Sequence, residues 1–166
     1  MLEISKLSSK YNVYRLDESN VDEIFNLCLG NTLFYEYCEA SPSKDQIIKD
    51  LNTTPKGIEF KDKYYIGFYK EEELIAVMDL IDGYPKKEYC FIGFFMMNND
   101  YQGKEIGSFI INEVSNYLKS INKKYIQLGI DKDNPQSNHF WKKNGFKTIK
   151  EINRDNHIIL YAQKTL

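Results

Sequence analysis

Phe94-Phe95-Met96-Met97-Asn98-Asn99-Asp100-Tyr101-Gln102-Gly103-Lys104-Glu105-Ile106-Gly107-Ser108 is the stretch on which the fold turns. Its first four residues close a run, Tyr89 to Met97, that is apolar on both faces, the pattern of a central strand covered on each side. A polar loop, Asn98 to Gly103, follows. Ile106, Ile110, Val114, Tyr117, Leu118 and Ile121 then recur at helical spacing. The chain thus leaves a buried strand, crosses a glycine-containing loop and enters a helix. The first turn of a helix leaves backbone N–H groups without internal partners, and its dipole favours negative charge. Glycine lets a ligand approach that backbone closely. Gln102 to Ser108 is therefore a candidate anion site, suited to a pyrophosphate, and Lys104 adds a positive charge. No G-x-x-x-x-G-K-[ST] or G-x-G-x-x-G occurs, so neither a Walker loop nor a dinucleotide fingerprint explains it.

Working outward, Lys63 to Lys70, Leu74 to Ile81 and Tyr89 to Met97 are strands separated by the turns Glu71-Glu72-Glu73 and Asp82-Gly83-Tyr84-Pro85, an antiparallel meander. Upstream, Tyr11 to Leu16 reads as a first strand. Asp17 or Ser19 caps a helix through Val21, Ile24, Phe25, Leu27 and Cys28 that ends at Gly30-Asn31. Ser43 with Gln46 resembles a capping box before a short helix through Ile47, Ile48 and Leu51, broken between Thr53 and Gly57. Downstream, Tyr125 to Ile130 is a strand parallel to Tyr89–Met97, because a helix connects the two. Pro135 suits the first turn of a further helix ending at Asn144-Gly145, and the strands Phe146 to Ile152 and His157 to Ala162 close the chain.

The 166 residues suit one domain spanning 1–166, and 42% hydrophobic content suffices for a core. Met1 to Lys6 is too polar for a signal peptide, and the longest apolar run is far too short to span a bilayer, so a cytoplasmic protein is expected. A formal charge of −2, with only the pairs Lys123-Lys124 and Lys142-Lys143 as basic clusters, excludes a phosphate-backbone reader of nucleic acid. Cys28, Cys38 and Cys90 form no CxxC, and His139 and His157 have no metal-ligand spacing, so neither a disulfide framework nor a metal is expected.

Tyr101-Gln102-Gly103-Lys104-Glu105-Ile106-Gly107 resembles the Q/R-x-x-G-x-G/A signature of the GNAT superfamily of N-acetyltransferases. Asn134-Pro135-Gln136-Ser137-Asn138-His139-Phe140-Trp141-Lys142-Lys143-Asn144-Gly145-Phe146 resembles its second motif, roughly N-x-x-A-x-x-F-Y-x-K-x-G-F. Both lie in the family's order, separated by a helix and a strand. The resemblance implies acetyl-CoA as co-substrate, held where two parallel strands splay apart. It implies that backbone groups of Phe95 and Met97 pair with the pantetheine. The N–H groups of Gln102, Gly103, Lys104, Glu105, Ile106, Gly107 and Ser108 would hold the pyrophosphate, with Asn134 near the pantetheine. An acceptor amine would attack the thioester directly, with the Met97 N–H as oxyanion donor.

The sequence departs from this pattern in three places. Glu105 stands where the central motif glycine sits, and its side chain is expected to point to solvent. Ser137 replaces a small alanine. Trp141 occupies the place of a tyrosine that protonates the leaving thiolate; indole cannot act as that acid, so Trp141 is read as packing against the cofactor or core. For the general base, Asp79 interrupts an apolar run and Glu88 opens the central strand; a satisfied structural or solvated carboxylate is the competing account of each. Phe34, Tyr35, Glu36, Tyr37 and Glu39 lie in a segment, Leu33 to Glu39, that the resemblance implies as a loop lining the acceptor pocket, where aromatics with carboxylates would suit a cationic amine; an ordinary exposed loop is the competing account.

The expectation is an α/β fold of the GNAT type: a mixed, mostly antiparallel sheet of about seven strands with helices on both faces. The function implied is acetyl transfer to a small-molecule or peptide amine by a monomer or homodimer, with no membrane partner. The competing account is a non-catalytic acyl-CoA-binding module.

Overall fold

The computed structural model describes residues 1–38, 40–154 and 157–166. Strand β1 (Asn12–Arg15) is followed by helices α1 (Val21–Leu29), α2 (Thr32–Tyr37) and α3 (Lys44–Asn52). Strands β2 (Lys63–Lys70), β3 (Glu73–Asp82) and β4 (Tyr89–Met97) come next, then α4 (Ile106–Ser120), β5 (Tyr125–Asp131), α5 (Pro135–Lys143), β6 (Lys147–Arg154) and β7 (His157–Thr165). The seven strands form one sheet in the order β1-β2-β3-β4-β5-β7-β6. Every neighbouring pair is antiparallel except β4 and β5, which α4 connects. Among the described residues no helix is long and apolar enough to cross a membrane.

The sheet separates two cores. On one face Ile110, Ile111, Val114 and Leu118 of α4 are fully buried against Met78, Leu80 and Ile126, and Trp141 and Phe146 join them. On the other, Ile24, Leu27 and Cys28 of α1 and Ile47 and Leu51 of α3 cover Tyr65, Val77 and Met96. Each fully buried aliphatic side chain contributes about 1.5–3 kcal/mol, an upper figure because unfolded chains already bury some surface.

Two local expectations need correction. The segment taken as a loop is helical over Thr32–Tyr37, because Phe34 turns inward onto Phe94 with ring centroids 5.9 Å apart. Glu39 of that segment lies outside the described residues. The strands buried on both faces are β3 and most of β2 rather than β4, whose Phe91, Phe94 and Phe95 are only half-buried and whose Gly93 is exposed. The cause is a fork in the sheet beside β4.

The helix caps follow the sequence closely. Asp17 accepts from the Ser19 N–H in a short 3-10 turn that leads into α1. Ser43 accepts from the Gln46 N–H, but Gln46 donates to Asp50 instead of closing a reciprocal box.

Candidate active site

β4 pairs with β5 only from Tyr89↔Tyr125 to Ile92↔Leu128. β4 then continues to Met97 along β3, and β5 to Asp131 along β7. Beyond the fork, Gly93–Met97 has no strand partner on the β5 side among the described residues. The fork coincides with a bulge: Asp79 stands opposite Phe94 and Leu80 opposite Ile92, so Gly93 is the extra residue. Bulges bend a strand and raise its twist, which directs β4 away from β5 here. The first residues past the fork are Gly93 and Gly129, both exposed.

A cavity of about 360 Å3 occupies the opening. Phe95, Met96 and Met97 of β4 line it, with Gln102, Gly103, Glu105, Gly107 and Ser108 around the start of α4. Gln136, Ser137, His139, Phe140, Trp141 and Lys143 of α5 and its N-cap Asn134 line it as well, with Asn31 and Phe34. Nine of the eleven residues expected at a cofactor thus meet in one cavity. Lys104 and Ile106 do not line it. Lys104 turns back to donate to the Asp100 carbonyl at 2.7 Å, and Ile106 packs against the core.

At the head of α4, the N-cap residue Glu105 makes no cap hydrogen bond, so its side chain leaves the free N–H groups open. The turn is built from residues at positive φ, Gly103 at 69° and Glu105 at 59°. An L-residue costs about 1–2 kcal/mol in that left-handed conformation, which glycine adopts freely. The Glu105 side chain is exposed, in line with its place in the sequence, and it also makes an ion pair. It reaches Lys143 Nζ at 2.5 Å. Gly107 is small for a packing reason: a Cβ there would lie 3.1 Å from the Phe140 ring.

Gln102 is committed to structure. Its amide donates to Asn31 Oδ1 at 2.6 Å, and Asn31 in turn donates to the Met97 and Leu27 carbonyls at 3.0 and 2.9 Å. This buried knot joins the end of α1, the end of β4 and the loop. Asn134 caps α5 by accepting the Ser137 N–H at 2.9 Å, so its side-chain oxygen is already engaged. Trp141 is 7% exposed, with ring centroids 5.8 Å from Phe95 and 5.0 Å from Phe140 and Phe146. It fills the wedge behind the fork.

Asp79 is buried on β3, and its Oδ2 accepts from Lys63 Nζ at 2.6 Å. Oδ1 has no hydrogen-bond partner among the described residues. Burial pushes the carboxyl pKa above its ordinary value, and the Lys63 ammonium pulls it back only in part. A Cβ on Gly93 would stand 2.9 Å from Oδ2, so the carboxylate lies directly under the bulge, outside the cavity lining. Glu88 sits in the turn before β4, where its carbonyl accepts from the Lys124 N–H at 2.8 Å. At roughly 3.3 Å per strand residue it is about 30 Å from Met97, the wrong end of β4 for a base. Tyr35 and Phe34 pack inward, leaving Glu36 as the exposed carboxylate of that segment among the described residues.

Sequence reasoning missed Gly93, Gly129, Asn31, Phe140 and Lys143. The two strand glycines were a signal in plain view, since glycine inside a strand marks a bulge or a close approach.

The family model described as the acetyltransferase (GNAT) family matches residues 25–146, close to three quarters of the chain. No curated protein matches in sequence. Among solved structures, an acetyltransferase from Thermus thermophilus is similar at TM-score 0.76 and 13% identity, over 95% of this chain and 97% of that one. An acetyltransferase from Salmonella typhimurium that modifies the N-terminal serine of a 50S ribosomal subunit protein is similar at TM-score 0.73 and 17% identity, over 96% and 97%. The PaiA N-acetyltransferase from Thermoplasma acidophilum, in complex with coenzyme A, is similar at TM-score 0.67 and 16% identity, over 94% and 99%.

Proposed function

The chain belongs to the GNAT acetyltransferase family, and from that premise we propose that it moves an acetyl group from acetyl-CoA to a primary amine within a ternary complex. The observation that carries the proposal is the fork: an unpartnered strand edge, Gly93–Met97, opening into a cavity that ends at the uncapped head of α4. Backbone N–H and C=O groups along a free strand edge suit the amides of a pantetheine arm, as in strand addition. The free N–H groups of Ile106, Gly107 and Ser108 suit its pyrophosphate.

The acceptor enters where Gly93 and Gly129 leave an open notch in the middle of the sheet. Its amine nitrogen attacks the thioester carbonyl carbon; the N–C bond forms and the C–S bond breaks. A backbone N–H of β4 just beyond the bulge holds the developing oxyanion; Met97, about 13 Å from Gly93 at roughly 3.3 Å per strand residue, lies too far along the strand for that role. Asp79 takes the proton shed by the amine through water at Gly93, a role supported by its raised pKa and its unpartnered Oδ1. Lys63 cancels its charge, so nothing in this site favours a cationic acceptor over a neutral one. Trp141 supplies no proton. A thiol pKa near 8.5 makes the thiolate a tolerable leaving group that solvent can protonate.

The test is an amine panel, N-terminal peptides included, with acetyl-CoA and a free-thiol readout. Amine-dependent thiol release is expected. Tight CoA binding with no turnover on any acceptor would favour a binding module instead.

A further inference from the structure

Among the described residues, Lys143 is the one lysine that lines the cavity, since Lys104 is turned away to the Asp100 carbonyl. Its ammonium is already held by the Glu105 carboxylate at 2.5 Å. Glu105 sits at the head of α4, where free N–H groups and the helix dipole draw an anion, and holds a left-handed conformation to do so. The pair bridges the first turn of α4 and the last turn of α5, beside a second tie from Asn144 to Ser108 Oγ at 3.2 Å. A pyrophosphate arriving at the head of α4 would meet this carboxylate. Two anions do not share one cation without cost, whereas the Lys143 and Glu105 side chains are 46% and 68% exposed and free to part.

We propose that Lys143 is a phosphate-binding residue held in reserve: Glu105 occupies it in the free protein, and the pyrophosphate of the co-substrate takes Glu105's place. Glu105 thereby sets the affinity for a phosphorylated ligand without touching the thioester end. The proposal rests on the acetyltransferase reading only in taking CoA as the ligand. An exposed pair of this kind is worth a factor of about two to five in a binding constant, and removing a like charge beside the phosphates adds to it.

The experiment is calorimetric titration of the full chain with CoA, dephospho-CoA and pantetheine at low salt. Glu105→Gln keeps the shape and backbone while removing the charge. It is expected to tighten CoA and dephospho-CoA alike, by about threefold to tenfold, and to leave pantetheine unchanged. Lys143→Met should weaken both nucleotides, and in that background Glu105→Gln should gain clearly less. An unchanged or weaker CoA affinity in Glu105→Gln overturns the proposal, as does an equal gain with and without Lys143. A Lys143→Met loss confined to CoA would move its contact to the 3′-phosphate and overturn the pyrophosphate assignment. Failure of the natural protein to bind CoA at all would instead sink the acetyltransferase reading, and this proposal with it.

Discussion

Taking the charge from Asp79 strands Lys63, whose side chain is 3% exposed. Leaving one partner of a buried pair uncompensated costs about 3–5 kcal/mol. Asp79→Asn is therefore expected to lower stability by that order in urea melts, and Lys63→Met/Asp79→Leu to recover most of it. If Asp79 is also the base, that stable double variant stays about a hundredfold down in kcat. Full activity in it would leave the pair a structural role only. The pH dependence has a definite sign. A base works deprotonated, so the rate rises with pH through a pKa above the ordinary carboxylate value and is flat beyond. Stability runs the other way: a carboxyl whose folded pKa is raised binds its proton more tightly when folded, so stability falls as pH climbs from the unfolded to the folded pKa. At Trp141 the packing contacts predict that Trp141→Ala costs about 3–5 kcal/mol. Trp141→Tyr should shift kcat by no more than about tenfold, or 1.4 kcal/mol, measured by thiol release. Asp79 and Trp141 both stood out in the sequence, one as a charge in an apolar run and the other as a departure from a motif. Lys63 as the partner did not, because the pairing depends on a two-residue diagonal between neighbouring strands.

Between elements, the Asn31 knot is the joint to test. Asn31→Ala removes one donor to the Met97 carbonyl and the closer partner of Gln102, whose amide keeps only its 3.3 Å bond to that carbonyl, a weakening of the network worth about 1–3 kcal/mol. The expected result is a raised KM for acetyl-CoA with kcat less affected, because the loop loses its anchor while β4 keeps its edge. At the fork, Gly93→Ala places a Cβ 2.9 Å from Asp79 Oδ2. It should cut kcat/KM for the acceptor by about tenfold or more, or 1.4 kcal/mol, while CoA affinity stays nearly constant. A comparable loss in both would mean that the bulge serves the pantetheine arm instead of the acceptor. The long helix α4 was plain from its apolar stripe, whereas the six residues of α2 were not. A helix that short is marginal by itself, and its stability comes from Phe34 docking on Phe94, a contact 60 residues away in the chain.

For the molecule as a whole, a ligand that binds only the folded state must stabilise it. Acetyl-CoA at a hundredfold excess over its Kd should add about 2.7 kcal/mol, which in a chain of this length raises Tm by roughly 5–10 °C. Free phosphate at the same concentration should give a much smaller shift, since it can use the head of α4 but not the strand edge. Equal shifts from the two would remove the case for a pantetheine channel.

What the sequence determined by itself was local and periodic: the meander, the α4 stripe, the Gln102–Ser108 turn and the parallel β4–β5 step forced by the intervening helix. Those features depend on neighbours within a few residues, so a linear pattern carries them. Tertiary structure alone decided that β4 leaves β5 at Gly93, that Asn31 ties the cofactor loop, and that the exposed Glu105 pairs with Lys143. The last two depend on atoms 38 to 71 positions apart meeting at hydrogen-bond distance. That proximity is set by the packing of two cores against one sheet, and periodicity along the chain does not encode it.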